Sequence, residues 1–124
     1  MVGRHLPKFK NYKKENQQMK LLTDELIKNF EKVWRQEDVK DPVVIAKFFN
    51  PTGAGTWYAT EYDPQSKNFF GYVSIFGDWN DECGYFSLTE LESLKGQFGL
   101  GIERDINFTS KPTSQINEIN KGGL

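Results

Sequence analysis

Little in this chain can carry metal, redox or nucleophilic chemistry. It has one cysteine, Cys83, and one histidine, His5, in 124 residues. A single cysteine excludes an intrachain disulfide and a cysteine-based metal cluster. With His5 near the N-terminus, Ser87 and Cys83 have no core imidazole to activate them, so nucleophilic catalysis finds little support. No apolar run approaches the roughly 18 residues that span a bilayer, and the N-terminal stretch lacks the apolar centre of a signal peptide. A cytoplasmic setting without membrane contact is the expectation. No cofactor is expected.

Net charge is small, −1, but it is unevenly placed. Residues 1–18 carry Arg4, Lys8, Lys10, Lys13 and Lys14 against Glu15, a net of +4, which leaves −5 on residues 19–124. An acidic body argues against broad binding of a phosphate backbone, which needs clustered Lys and Arg. The arm, 1–18, has no helical or strand period and is expected to be disordered, either a nucleic-acid-seeking tail or a segment foreign to the fold. Met19 opens MKLLTDELIKNF, which reads as a natural protein start. Lys14-Glu15 can be encoded as AAGGAG, a ribosome-binding-like string upstream of Met19, and the gene sequence at those codons tests that idea.

What is abundant is aromatic: 10 Phe, 5 Tyr and 3 Trp, with 11 Gly. Aromatics alternating with polar residues make half-buried strands. Thr23 is a good N-cap, with Asp24 and Glu25 at the positive end of the helix dipole and Leu22 and Ile27 placed for a hydrophobic staple. Leu26, Phe30 and Val33 or Trp34 then recur on one helical face. Strands are expected over Val43–Phe49, Thr56–Tyr62, Phe69–Phe76, Cys83–Leu88 and Ile102–Phe108, joined by short polar loops that favour antiparallel neighbours. Thr89-Glu90-Leu91-Glu92 fits a capping box opening a short helix that ends near Gly96. The tail from Thr109 is polar, with at most one helical turn around Ile116 and Ile119. The expectation is one α+β domain over 19–108: a small antiparallel meander of about five strands with an N-terminal helix and a short second helix packed on it.

Two glycine runs invite a phosphate reading and do not support it. Gly96-x-x-Gly99-x-Gly101 precedes a strand, whereas a dinucleotide site follows a strand and opens a helix. The TGAGT loop at 52–56 lacks the lysine and the following helix of a P-loop.

Period-two bookkeeping puts Ile102, Arg104, Ile106 and Phe108 on one face of the last strand and Glu103, Asp105 and Asn107 on the other. A guanidinium on an apolar face needs a partner. Glu61, on the side of Trp57 and Ala59 by the same bookkeeping, is the first candidate. Glu61 and Arg104 then form either a closed ion pair or a site that meets a ligand. Glu103 and Asp105 are two carboxylates at i, i+2, either a Mg²⁺ or acid/base pair or a solvated strand face. A glycosidase-like carboxylate pair is read in space and stays open. Trp57, Phe70, Phe86 and Phe98 fit a core. Tyr58, Tyr62, Tyr72 and Tyr85 are amphipathic and suited to lining a groove or stacking on bases. Trp79, flanked by Asp78 and Asp81 in a loop, suits a protein-binding anchor or a lid over the sheet edge.

The ordered motifs KFFNP, TWYATE, FFGYV, GYFSLTELESL and GLGIERDINF closely resemble those of one bacterial family, the domain of unknown function DUF2958, over Met19 to Phe108. The loop 77–83, with Cys83 before Gly84, departs from the family's usual acidic-Leu-Gly-Tyr-Phe approach. The family lends no catalytic residues. The resemblance implies a start near MKLL and an accessory role in the biology of plasmids, phages and integrative elements, an associational warrant that identifies no chemistry. Three readings follow. The first is a non-catalytic binding module acting through a protein partner. The second is a nucleic-acid-binding accessory protein assisted by the arm. The third is a small hydrolase-type enzyme using Glu61 and Arg104. Oligomeric state is not legible.

Overall fold

The computed structural model describes residues 20–74, 82–95 and 99–122. The expectations for the arm, for the end of the third strand at Phe76, for Trp79 and its loop, and for Gly96 and Phe98 lie outside the described residues.

Helix α1 (Asp24–Val33) begins as its sequence dictates. Thr23 is the N-cap, and its hydroxyl accepts from the Leu26 N–H at 3.2 Å. Leu22 is buried, and Leu26, Ile27 and Val33 pack on the core around buried Phe30. After α1 come β1 (Val43–Val44), β2 (Ala46–Phe49), β3 (Thr56–Asp63), β4 (Asn68–Ser74) and β5 (Glu82–Ser87). Helix α2 (Leu88–Ser93), β6 (Glu103–Arg104), β7 (Lys111–Pro112), a 3₁₀ turn (Thr113–Gln115) and α3 (Asn117–Gly122) follow.

The main sheet runs β5-β4-β3-β2-β6, antiparallel throughout. Its first four strands are the expected meander, and β6 returns to the outer edge of β2. The class is α+β, as the periodicity implied. One face packs against α1 and α2, and Phe69 is its hub. That ring is fully buried, with centroids 4.9 Å from Tyr62, 5.2 Å from Phe86, 5.3 Å from Phe48 and 5.8 Å from Phe30. Emptying such a position typically costs about 3–5 kcal/mol. Gly71 is required on β4, because a Cβ there would lie 1.8 Å from the Tyr58 carbonyl oxygen.

Several elements differ from the sequence reading. The strand expected over Val43–Phe49 breaks at Ile45. Val44 turns to one face and Ile45 to the other, so β1 pairs with β7 while β2 pairs with β3. The last strand keeps only two residues. The Asp105 carboxylate accepts from Asn107 N–H at 3.0 Å, and the Phe108 N–H closes on the Asp105 carbonyl. That turn ends the alternation and leaves Ile106 exposed. The second helix is capped two residues earlier than expected: Ser87, not Thr89, accepts from the Glu90 N–H. Gly99 adopts a left-handed φ of 71°, and Lys95 bridges Gly101 just before β6.

The largest difference is the tail. Ile116 and Ile119 are buried with Val44 and Tyr58 in a second cluster on the opposite sheet face. Asp41 anchors this segment: its carboxylate accepts from Thr113 Oγ1 (2.9 Å), Ser114 N (3.0 Å) and Ser114 Oγ (2.6 Å). These donors hold the Asp41 carboxyl below its ordinary value. A largely polar segment with two isoleucines three apart thus packs on Val44 and Tyr58.

Candidate functional site

A β-bulge builds the site. Between Ala59↔Gly71 and Glu61↔Phe70 the β3–β4 register slips by one residue, and Thr60 is the extra one. A one-residue slip turns every following side chain to the other face. Tyr62 therefore joins the core face beside Phe69, and Glu61 moves to the face of Phe70 and Tyr85. Strict alternation had placed Glu61 with Trp57.

The bulge is held by Gln36, a buried amide just past α1. Its Nε2 donates to the Thr60 carbonyl (2.7 Å) and to the Val43 carbonyl (2.9 Å), and its Oε1 accepts from the Val43 N–H (2.7 Å). Its backbone N–H donates to Glu61 Oε2 at 2.8 Å. A bulge leaves ladder groups unpaired, and this side chain satisfies the carbonyl of the bulged Thr60.

Pinning Gln36 fixes the two residues before it on the surface. Trp34 ends α1, its N–H donating to the Phe30 carbonyl, with φ 52° and ψ −117°. Glycine or asparagine usually takes such a position, and a bulky residue there is strained by about 1–3 kcal/mol. Strain of that kind concentrates at functional sites. Trp34 is 57% exposed, and the Arg35 guanidinium lies 5.8 Å from its ring centroid.

Trp34, Arg35, Glu61 and Tyr62 share a shallow cavity of about 160 Å³ with Phe70, Tyr85 and the β3–β4 hairpin. Tyr85 is 75% exposed and meets Phe70 edge to face, centroids 4.9 Å apart. In the hairpin, Asp63 accepts from Gln65 N (2.9 Å) and Ser66 Oγ (3.0 Å), which keeps its carboxyl below the ordinary value. Burial, then the fields of Glu92 and Asp63, push the Tyr62 phenol up. Pockets for drug-sized molecules run to about 300–1,000 Å³. This one has room for a single side chain.

A second groove, about 440 Å³, lies between α1 and residues 104–110. Much of its polar lining is already committed. Thr23 caps α1, Asp105 holds its own turn and lies 3.8 Å from Lys47, and Arg104 donates to the Lys20 carbonyl.

The residues singled out in the sequence are thus divided. Glu61, Tyr62 and Tyr85 come together in the aromatic site. Arg104 does not join them. It lies opposite Phe48 on the core face, while Glu61 faces the other way beyond the bulge, so the expected ion pair and shared catalytic pocket do not form. Tyr58 lines neither of these two cavities. It is buried beneath the tail, donating to Glu118 Oε1 at 2.8 Å and packing on Phe108. Tyr72 is half-buried beside the same cluster; burial and then its bond with Cys83 push its phenol up to about 12. Trp79 lies outside the described residues. Among the described residues no three His, Cys, Asp or Glu side chains gather to hold a metal ion, and no helix is long and apolar enough to cross a membrane.

Sequence reasoning offered Val33 or Trp34 for the core face of the helix, passed over Arg35 and assigned Phe70 to the core; Val33 takes the core position and Trp34 is exposed. The available signal was the helix end itself, where Trp-Arg stands in place of a glycine cap.

No curated protein and no solved structure matches the chain. One family model, described as a protein of unknown function (DUF2958), matches residues 18–120, reaching past Phe108 into the folded tail. The chain belongs to the DUF2958 family.

Proposed function

We propose that this chain is a binding module that performs no chemistry of its own and engages a protein partner through the surface formed by Trp34, Arg35, Phe70 and Tyr85. The proposed setting is the cytoplasm and the accessory biology of plasmids, phages and integrative elements, which the family resemblance implies. The observation that carries the binding reading is Trp34: an exposed tryptophan in a left-handed backbone, locked in place by the Gln36 network beside exposed Tyr85. Trp, Tyr and Arg dominate the energetics of protein interfaces. A rigid platform loses little freedom on binding. A cavity of about 160 Å³ suits one anchoring side chain.

The test is capture of partners by the tagged full chain in its native host, with and without nuclease, set beside Trp34→Ala and Tyr85→Ala. Both side chains are mostly exposed, so circular dichroism should show both variants folded. The reading expects a protein that survives nuclease and is lost with either variant. Equal capture by all three chains contradicts it.

A second reading, nucleic acid, draws on the same exposed rings, since bases stack on aromatic faces beside arginine. Glu61 and Asp63 line the same space and oppose a phosphate backbone. Partners lost on nuclease treatment, with affinity falling steeply in salt, would favour this second reading.

A further inference from the structure

The charge around the aromatic site points to what it takes. Glu61 and Asp63 line it, and Glu37 stands next to Arg35, 3.9 Å from its guanidinium. One guanidinium, which also lies over Trp34, thus stands among three carboxylates. Two of the carboxylates are fixed before any ligand arrives, Glu61 by the Gln36 N–H and Asp63 by Gln65 and Ser66. The neighbouring ring faces attract cations, and Arg35 over Trp34 is an instance within this chain. The body beyond residue 18 carries −5. We infer that the site takes a lysine or arginine side chain from an extended basic segment of the partner, seated among Tyr85, Phe70 and the carboxylates of Glu61 and Asp63. This inference rests on the protein-binding reading above and narrows it.

Charge is separable from shape here. Glu61→Gln keeps an oxygen for the Gln36 N–H, and Asp63→Asn keeps an acceptor for the hairpin turn, while each removes a negative charge. The experiment is a nuclear magnetic resonance titration of the isotope-labelled full chain at low ionic strength. The probes are four short peptides in which glycine alternates with arginine, lysine, acetyl-lysine or glutamate. The arginine and lysine peptides are expected to move the amide signals of Glu61, Phe70 and Tyr85, and the other two to leave them in place. Tyr85→Ala should weaken binding about threefold, the order of an exposed cation–π contact. The paired charge variant should weaken it about tenfold, from two partly exposed ion pairs.

Basic peptides that bind elsewhere, bind the charge variant equally well, or give way to the acetylated or glutamate peptide overturn the inference. Failure here, with partner capture still dependent on Trp34 and Tyr85, removes the basic ligand and leaves the protein-binding reading standing. Failure of both removes the site.

Discussion

Replacing Gln36 by alanine tests how the platform is held. The change removes three hydrogen bonds made by one buried amide, to the Val43 carbonyl, the Thr60 carbonyl and the Val43 N–H. Each such bond contributes about 1 kcal/mol net, and a buried group left without a partner costs about 1–3 kcal/mol. Thr60 is 2% exposed and Gln36 5%, so water reaches the vacated positions poorly. The expected loss is about 3–5 kcal/mol, a large share of the roughly 5–15 kcal/mol that holds a domain together. In urea, with a slope of about 2 kcal/mol per molar, the midpoint should fall by about 2 M at unchanged slope. Unfolding followed by circular dichroism reads this directly. Gln36→Glu adds a second arm. It retains the acceptor for Val43 N–H but sets a carboxylate against two carbonyl oxygens. It should therefore be unstable at neutral pH and recover as acid restores a donor. A loss under about 1 kcal/mol for Gln36→Ala would refute the claim that this amide holds the bulge.

Gly71→Ala should destabilise by about 3 kcal/mol or more, since the new Cβ meets the Tyr58 backbone, which cannot yield as a side chain would; thermal unfolding checks it. Asp41 has a folded pKa below its ordinary 3.8, so its stabilising contact with Thr113 and Ser114 is complete above that pH and lost as pH falls through the lower folded value. Amide exchange at Ile116 and Ile119 should rise over that acid range, and Asp41→Ala should raise it at neutral pH. Tyr72 behaves in the opposite sense, because its pKa is raised from 10.0 to about 12. Its contribution is full below pH 10.0 and declines as pH rises through about 12, and Tyr72→Phe should flatten that alkaline decline.

The elements built from local rules were legible in the sequence. Thr23 caps α1 as its type and neighbours require, and the alternating aromatics of β2 to β5 pair as a meander. What escaped depends on long-range contacts. The bulge at Thr60 leaves no local mark, yet it moves Glu61 across the sheet and so dissolves the expected pair with Arg104. Tyr58 looked like a groove residue because its phenol is polar. Its phenol is buried with an acceptor supplied by Glu118, sixty residues on. Long-range contacts also explain why the tail after Thr109 read only as polar, with at most one helical turn: Ile116 and Ile119 have little to pack on until Val44 turns outward at the Ile45 break. Trp34 was visible as a helix-face residue, but its outward turn follows from the Gln36 bonds that come after it.

The central claim is that the Trp34–Tyr85 surface meets a protein. Its most direct test is a photo-crosslinking amino acid placed at Tyr85 in the native host, with exposed Glu31 on α1 as the control position. The account predicts a crosslink from Tyr85 to one protein, resistant to nuclease, absent from Glu31 and lost when Trp34→Ala is added. Crosslinks to nucleic acid, or the same products from both positions, would contradict it.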